Sequence, residues 1–369
     1  MVGYLRNVNM TYNPAVKLID ESGIPYGVKH VENKIRVSAM PYLYDIAEGN
    51  VANHQIFHVI GYNGDVDLAV EDLWYNDGTY VPPSAAMGLE VVSSSEDDAG
   101  VIIKSGTSDS ITQEVSEDEY TLTLTDAAVD FTAATAVIAG DIVLFDGDGI
   151  YGEVLTVAAN VLTVLTYSDE FATSAQNYRV VDNSASGTGC HVIGVDYLDA
   201  DYLQGEEFVV LNGTSVVPTV STNILRVNGL HTIHDGTGNS AAGKIDIRHI
   251  DDTPIYRSIP AGFNNDMDAL WTVPAAHKGY ITQWQIASGH SQANKQSEAW
   301  LRCTSDHHGH YARHVFHMKD VSLVQDNLAL IQFTAPIFVP PRTDIKISVK
   351  CVDTNAIMAG HFEGWYEHI

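Results

Sequence analysis

The chain breaks into short runs of β-branched and aromatic residues, and no stretch keeps a 3.6-residue apolar period long enough to demand a helix. Tyr120–Thr125, Asp141–Phe145, Ile150–Val157 and Val161–Thr166 are rich in Val, Ile, Leu, Thr and Tyr, with Gly, Asn and Asp between them. The first set fits a pleated, half-buried surface and the second supplies turns. The fold class that follows is all-β. Short helical turns fit only near Val66–Asp72 and Pro83–Leu89.

Texture along the chain divides it further. Residues 1–80 hold Pro14, Pro25 and Pro41 with little clear alternation, and are expected to form an extended N-terminal arm and loops. Residues 81–100 together with 185–235 read as a central β domain. Between them, residues 101–184 carry 14 acidic and two basic side chains and read as an inserted acidic β domain. Its clearest hairpin joins Ile142–Phe145 to Ile150–Val157 through Asp146-Gly-Asp-Gly149, because Asp-Gly pairs favour tight turns with positive φ. With Tyr120–Thr125 and Tyr178–Val181 these strands suggest a small barrel. The polar, Gly-rich stretch His231–Ala242 reads as a linker or long loop. Residues 243–369 alternate repeatedly, beginning with Ile245 and Ile247, and read as a jelly-roll-like β-sandwich. Trp271, Trp284, Trp300 and Trp365 supply its aromatic mass.

Charge narrows the function. In 369 residues there are 19 Lys and Arg against 47 Asp and Glu, and between Val37 and Ile224 the only bases are Lys104 and Arg179. Such a field repels phosphate backbones, so no nucleic-acid partner is expected. The longest apolar runs are far below the roughly 20 residues of a membrane helix, and the N-terminus lacks a secretory pattern, so no membrane partner is expected either. Cys190, Cys303 and Cys351 show no metal or disulfide spacing. Cys351 continues the alternation Ile345, Ile347, Val349 and reads as a small buried hydrophobe.

No complete enzyme signature is present, so no catalytic residue and no cofactor are assigned. The most suggestive cluster is Asp306-His-His-Gly-His310 with His314 and His317, whose side chains are of metal-ligating type. Period-2 alternation separates the later histidines, so a structural role is preferred and metal binding stays open. His231 and His234, with Asp235, are a weaker version of the same idea. A metal-dependent hydrolase would need His307, His308, His310 and an acid to converge. A glycan-binding protein would present Trp74, Tyr75 and Tyr80 on loops. Asp146-Gly-Asp-Gly149 lacks the ligand spacing of a calcium loop and is a turn.

Seven segments, in the same order, resemble a family of tailed-bacteriophage virion structural proteins common in phages of aquatic bacteria. They are Asp72-Leu-Trp-Tyr-Asn-Asp-Gly-Thr-Tyr80, Val91-Val-Ser-Ser-Ser-Glu-Asp-Asp98, Ser186-Gly-Thr-Gly189, Leu211-Asn-Gly-Thr-Ser-Val-Val-Pro218, Ile224-Leu-Arg-Val-Asn228, Trp271-Thr-Val-Pro-Ala275 and Arg342-Thr-Asp-Ile-Lys-Ile347. In that family the Ser-Ser-Ser turn runs almost directly into the Gly-Thr-Gly strand, so the resemblance too implies an insertion from Gly100 to Ser184. It implies a non-enzymatic protein of the virion, assembled in the host cytoplasm. The expected position is the capsid surface or a vertex, as a decoration or fibre-base protein; a tail or collar component or a host-receptor (glycan) binding protein is the alternative. Partners would be the major capsid or tail and portal-vertex proteins, and further copies of the chain, a trimer being the expected oligomer.

Overall fold

The computed structural model describes residues 28–31, 34–37, 46–47, 49, 51–116, 119–147, 149–166, 175–184, 187–290, 295–305, 315–325, 328–352 and 355–369. It is all-β, with every sheet antiparallel. Neither Val66–Asp72 nor Pro83–Leu89 forms a helical turn; Val66 ends one strand and Glu71–Asp72 is another.

Eight strand positions build a jelly roll. They are β1 (His54–Val66), β2 (Glu71–Asp72 continued by Leu270–Thr272), β3 (His277–His290), β4 (Ser297–Cys303), β5 (His317–Val324), β6 (Leu328–Val339), β7 (Asp344–Cys351) and β8 (Ala356–His368). One sheet has the order β6-β3-β8-β1 and the other β2-β7-β4-β5. Every connection except the β4–β5 hairpin therefore crosses between sheets, which is jelly-roll connectivity. Inward side chains of both sheets interdigitate around Trp284, Phe362, Ile347 and Leu301, and Phe57 stacks on Trp271 at 4.6 Å.

Strand β2 is made of two distant pieces. Glu71 and Asp72 lie opposite Val349 and Ser348, and Leu270, Trp271 and Thr272 lie opposite Lys346, Ile345 and Asp344. Between the pieces, Leu73 N donates to Ile347 O (2.9 Å), Ile347 N to Ala269 O (3.2 Å) and Ala269 N to Leu73 O (2.9 Å). The chain thus leaves the jelly roll after Leu73 and returns at Ala269, and everything in between is carried on one interrupted strand.

The excursion builds a second sandwich. Leu89–Ser93, Val217–Pro218, Ile245–His249 and Ile255–Ile259 form a four-stranded sheet, which faces a three-stranded sheet of Cys190–Asp199, Gln204–Val210 and Ile224–Asp235. Leu89, Val91, Ile193, Val195, Ile245 and Ile247 meet between them. Two expectations are corrected here. Ile245–His249 pairs with Leu89–Ser93, Ile247 opposite Val91, so residues 243–259 belong to this middle body rather than to the C-terminal sandwich. Alternation identifies a strand but not its partner. The proposed linker also fails at its start, because Ile224–Asp235 is one continuous strand whose later residues are half-buried.

A further excursion leaves this body near Gly100. Its strands pair only with one another among the described residues, in the order Ile102–Thr107, Asn177–Val181, Ile142–Phe145, Ile150–Ala158, Val161–Thr166, Glu119–Thr125, Ser110–Ser116. The first and last strands of this seven-stranded sheet are neighbours in sequence. The sheet therefore curls until its edges approach, around Leu122, Leu124, Phe145 and Val164. The expected hairpin forms, with Phe145 opposite Ile150 and Gly149 at φ +64°.

The N-terminal expectation is corrected in part. Residues 54–66 are not arm or loop but the edge strand β1, with Trp365 opposite Ile56 and Phe362 opposite Val59. Val28–Val31 and Lys34–Val37 form a separate hairpin.

Candidate functional site

Alternation along β8 turns Met358, Phe362 and Tyr366 inward and Ile357, His361, Glu363 and Trp365 outward. In register across the sheet, three outward rows result. Ile56, Trp365, Tyr280 and Phe338 form the first, with Tyr280 stacked on Trp365 at 4.8 Å and 18°. His58, Glu363, Gln283 and Gln332 form the second, and Ile60, His361, Gln285 and Leu330 the third. Ile60 and Leu330 are each 51% exposed, and Ile56, Leu328, Phe338 and Ile357 are also exposed. The face thus combines exposed aliphatic and aromatic side chains with a central row of His, Glu and Gln.

In the second row, His58 and Glu363 are cross-strand partners, and the His58 and His361 rings meet edge to face at 4.6 Å. Burial and the neighbouring His58 lower the pKa of His361, against the pull of Glu363. The sequence reading missed this group. His-x-Glu on one outward face is visible at 361–363, but its partner His58 lies in the segment read as an arm.

Behind this sheet, buried charges lock the middle sandwich to the jelly roll. Arg226 holds Asp344 through Nε–Oδ1 (3.0 Å) and Nη2–Oδ2 (3.1 Å), and Thr272 Oγ1 donates to the same carboxylate at 2.7 Å. Within the jelly roll, at the same seam, Lys346 Nζ and Ser348 Oγ of β7 each donate to Asp72 of β2 at 2.8 Å. Arg257 donates to Asp266 (2.7 Å) and to the carbonyls of Val227 and Leu270. Burial raises the pKa of Asp268 to about 7, against the attraction of Arg257. Buried ions survive only when paired and hydrogen-bonded in this way. Four of the seven segments quoted for the family resemblance supply these groups: Asp72, Arg226, Thr272, and Asp344 with Lys346.

Another buried carboxylate, Asp98, pins the neck of the outer curled sheet. Asp98 accepts from Cys190 N (2.7 Å), Ala242 N (2.8 Å), Gly243 N (2.8 Å) and Ser93 Oγ (2.5 Å). A Cβ at Gly189 would stand 2.1 Å from Asp98 Oδ1, so only glycine leaves room for it.

A cleft of about 460 Å³ lies between β1 and the middle sandwich, lined by His58, Asp196, His231, Asp266 and Tyr366 among others. His231 Nδ1 is 3.6 Å from Asp196 and Nε2 is 3.8 Å from Glu206. Both distances exceed hydrogen-bond reach, so the group is an electrostatic contact and not an oriented acid–base pair. Burial raises the pKa of Asp196, with His231 opposing, and burial plus Asp196 pushes Glu206 up to about 7.

Of the residues singled out from sequence, Asp306, His307, His308, His310 and His314 lie outside the described residues. His317 begins β5, opposite Cys303. His231 and His234 sit on a strand and join no ligand set among the described residues; His234 Nε2 donates to Asn183 Oδ1 at 2.8 Å, and burial and His191 lower its pKa to about 4. Trp74 is buried and donates to Gly78 O, Tyr80 packs edge-on against it at 5.4 Å, and Tyr75 is half-buried. A glycan platform built on these three rings loses its premise. Cys190, Cys303 and Cys351 are buried thiols, with Cys351 on the inner face of β7 as expected.

No helix among the described residues is long and apolar enough to cross a membrane. Comparison with protein-family models, with curated proteins and with solved structures returns no match.

Proposed function

We propose that the chain is a non-enzymatic structural protein of a tailed-bacteriophage virion, a capsid-surface or vertex-associated decoration or fibre-base protein that works as a homo-oligomer. The outward face of the β6-β3-β8-β1 sheet carries this reading. Ile56, Ile60, Leu328, Leu330, Phe338 and Ile357 stay exposed there on a rigid sheet. Fully burying one such side chain is worth about 1.5–3 kcal/mol, so covering a cluster of them favours association strongly. A second copy of the chain is the occupant we assign. Closed symmetry reuses one such patch on every subunit, and a trimer is the expected ring.

The rest of the chain fits that role. The curled sheet of residues 102–181 is acidic and repels its equivalents, which suits a position pointing outward from the assembly. The resemblance to virion structural proteins supplies the setting, and the major capsid or tail and portal-vertex proteins are the further partners.

The test is a map of the intact particle, with light scattering on the purified chain. Copies spread over the capsid lattice mean decoration, and a small ring at one vertex means a tail or collar part. A particle without this chain sinks the reading. In solution, Ile60→Asp with Leu330→Asp should convert the oligomer to a monomer that keeps the wild-type circular dichroism spectrum and melts lower only by the lost association. A wild-type monomer at high concentration would refute the assembly face.

A further inference from the structure

We infer that His58, His361 and Glu363 form a site for a divalent transition-metal ion of the zinc class on the outward face of the jelly roll. The ligand atoms of the three side chains all lie within 4.8 Å of one another. The sheet register explains the convergence. Glu363 stands directly opposite His58 on the neighbouring strand, and His361, two residues earlier on β8, falls on the same face. Cross-strand and diagonal pairs of this kind keep their side chains close without help from any loop.

The three groups are also uncommitted. No side-chain hydrogen bond joins either imidazole or the Glu363 carboxylate to another described group, whereas neighbouring His54 is spent on Glu367 and Ala52 O. The two imidazoles meet edge to face at 4.6 Å, with no hydrogen bond among the described residues fixing either ring. A metal ion needs them neutral. Two nitrogens and one carboxylate oxygen favour borderline ions such as Zn²⁺, Co²⁺ or Ni²⁺ over the oxygen-seeking Ca²⁺ and Mg²⁺.

The geometry closes at small cost. With bonds of about 2.0–2.2 Å, ligand atoms of a tetrahedral set stand about 3.3 Å apart. The present separations therefore contract by at most about 1.5 Å, through side-chain torsions on strands whose backbones stay paired. Three protein ligands leave an open position, which water or an external donor fills. The net charge of −28 raises the local concentration of any divalent cation.

The site is tested on the full chain after chelator treatment, by zinc titration calorimetry and elemental analysis. Wild type should hold one more equivalent of zinc than the His58→Ala/His361→Ala variant. Each single His→Ala change should weaken that equivalent on the order of 100-fold. Glu363→Gln, which keeps shape and removes the charge, guards against a folding failure and should weaken it too. Co²⁺ should give visible ligand-field bands in wild type that His361→Ala loses. Zinc held by other histidines stays in every variant, so only the difference counts. Equal stoichiometry and affinity in wild type and the double variant, with matching thermal melts, would overturn the proposal. So would calcium binding as tightly as zinc at the equivalent the variants lose.

Discussion

Two attachments hold the nested bodies together, and they are built on opposite principles. The middle sandwich joins the jelly roll through buried cations: Arg226 reaches across to Asp344, and Arg257, neutralised by Asp266 of its own body, donates to Leu270 O of β2. The outer curled sheet joins the middle sandwich through a small apolar patch, in which Ile142, Leu144 and Val181 meet Val192, Phe208 and Val210. Arg179 adds one bridge, pairing with Asp146 and donating to Phe208 O at 2.8 Å. Buried ions contribute little net stability when intact but penalise any displacement severely. An apolar patch is forgiving by comparison, because its strength scales with area and not with alignment. The inner seam is thus specified in position, as an interrupted strand requires, while the outer junction suits a module added at a loop tip.

The contrast breaks most visibly at Asp344. Asp344→Ala leaves Arg226 charged, buried and unpaired, and should cost about 3–5 kcal/mol in denaturant unfolding. Removing both charges in Arg226→Met/Asp344→Leu should recover much of the loss. A single-site cost under about 1 kcal/mol would show that the seam is not held by paired ions.

At the outer neck, Asp98→Ala strips acceptors from three backbone N–H groups and one hydroxyl. A cost of about 2–4 kcal/mol is expected, with faster proteolysis between residues 94 and 100. Replacing residues 101–182 by a short Gly-Ser link should be milder. It uncovers Val192, Phe208 and Val210, each losing part of the roughly 1.5–3 kcal/mol that full burial of such a side chain is worth. Circular dichroism should report the remaining sandwiches folded. If excision unfolds the whole chain, the outer body is integral and the comparison fails. Arg179→Ala should cost about 1 kcal/mol and lose most of that effect in high salt, because its pair with Asp146 is partly solvated.

Much of this architecture is legible in alternation and turn chemistry. Ile345, Ile347, Val349 and Cys351 are all buried on β7, and the Asp146–Gly149 turn forms its hairpin. What stays hidden has physical causes. In β1 the inward positions after Phe57 and Val59 are Gly61 and Asn63, which erase the apolar period. Both are demanded by the interruption in β2: a Cβ at Gly61 would stand 2.5 Å from Leu73 O and Ala269 Cβ, and Asn63 Nδ2 donates to Glu71. The pieces of β2 are too short to show any period. The His58, His361 and Glu363 group depends on pairing between the first and last jelly-roll strands, which no local pattern encodes.

Acidity should sharpen the outer junction last and least. Glu206 lies on the middle sandwich, where its side chain faces Gly149 of the outer sheet, with Asp196 and His231 beside it and the Arg179–Asp146 pair lining the same cleft. Its folded pKa is raised to about 7, by burial first and by Asp196 second. The unfolded carboxyl titrates near 4.3. The folded state therefore holds this proton more tightly, and the associated stability is complete below the unfolded value and lost as pH rises through about 7. Unfolding midpoints should fall between pH 5 and 8, and Glu206→Gln should flatten part of that slope while leaving Asp268, raised by its own burial at the inner seam, to supply the rest. The comparison predicts where each slope is felt: Glu206→Gln should change proteolysis at the outer junction alone, because an apolar patch tolerates small displacement and the ion-pinned seam does not. An unchanged slope in Glu206→Gln would place the pH response entirely at the inner seam.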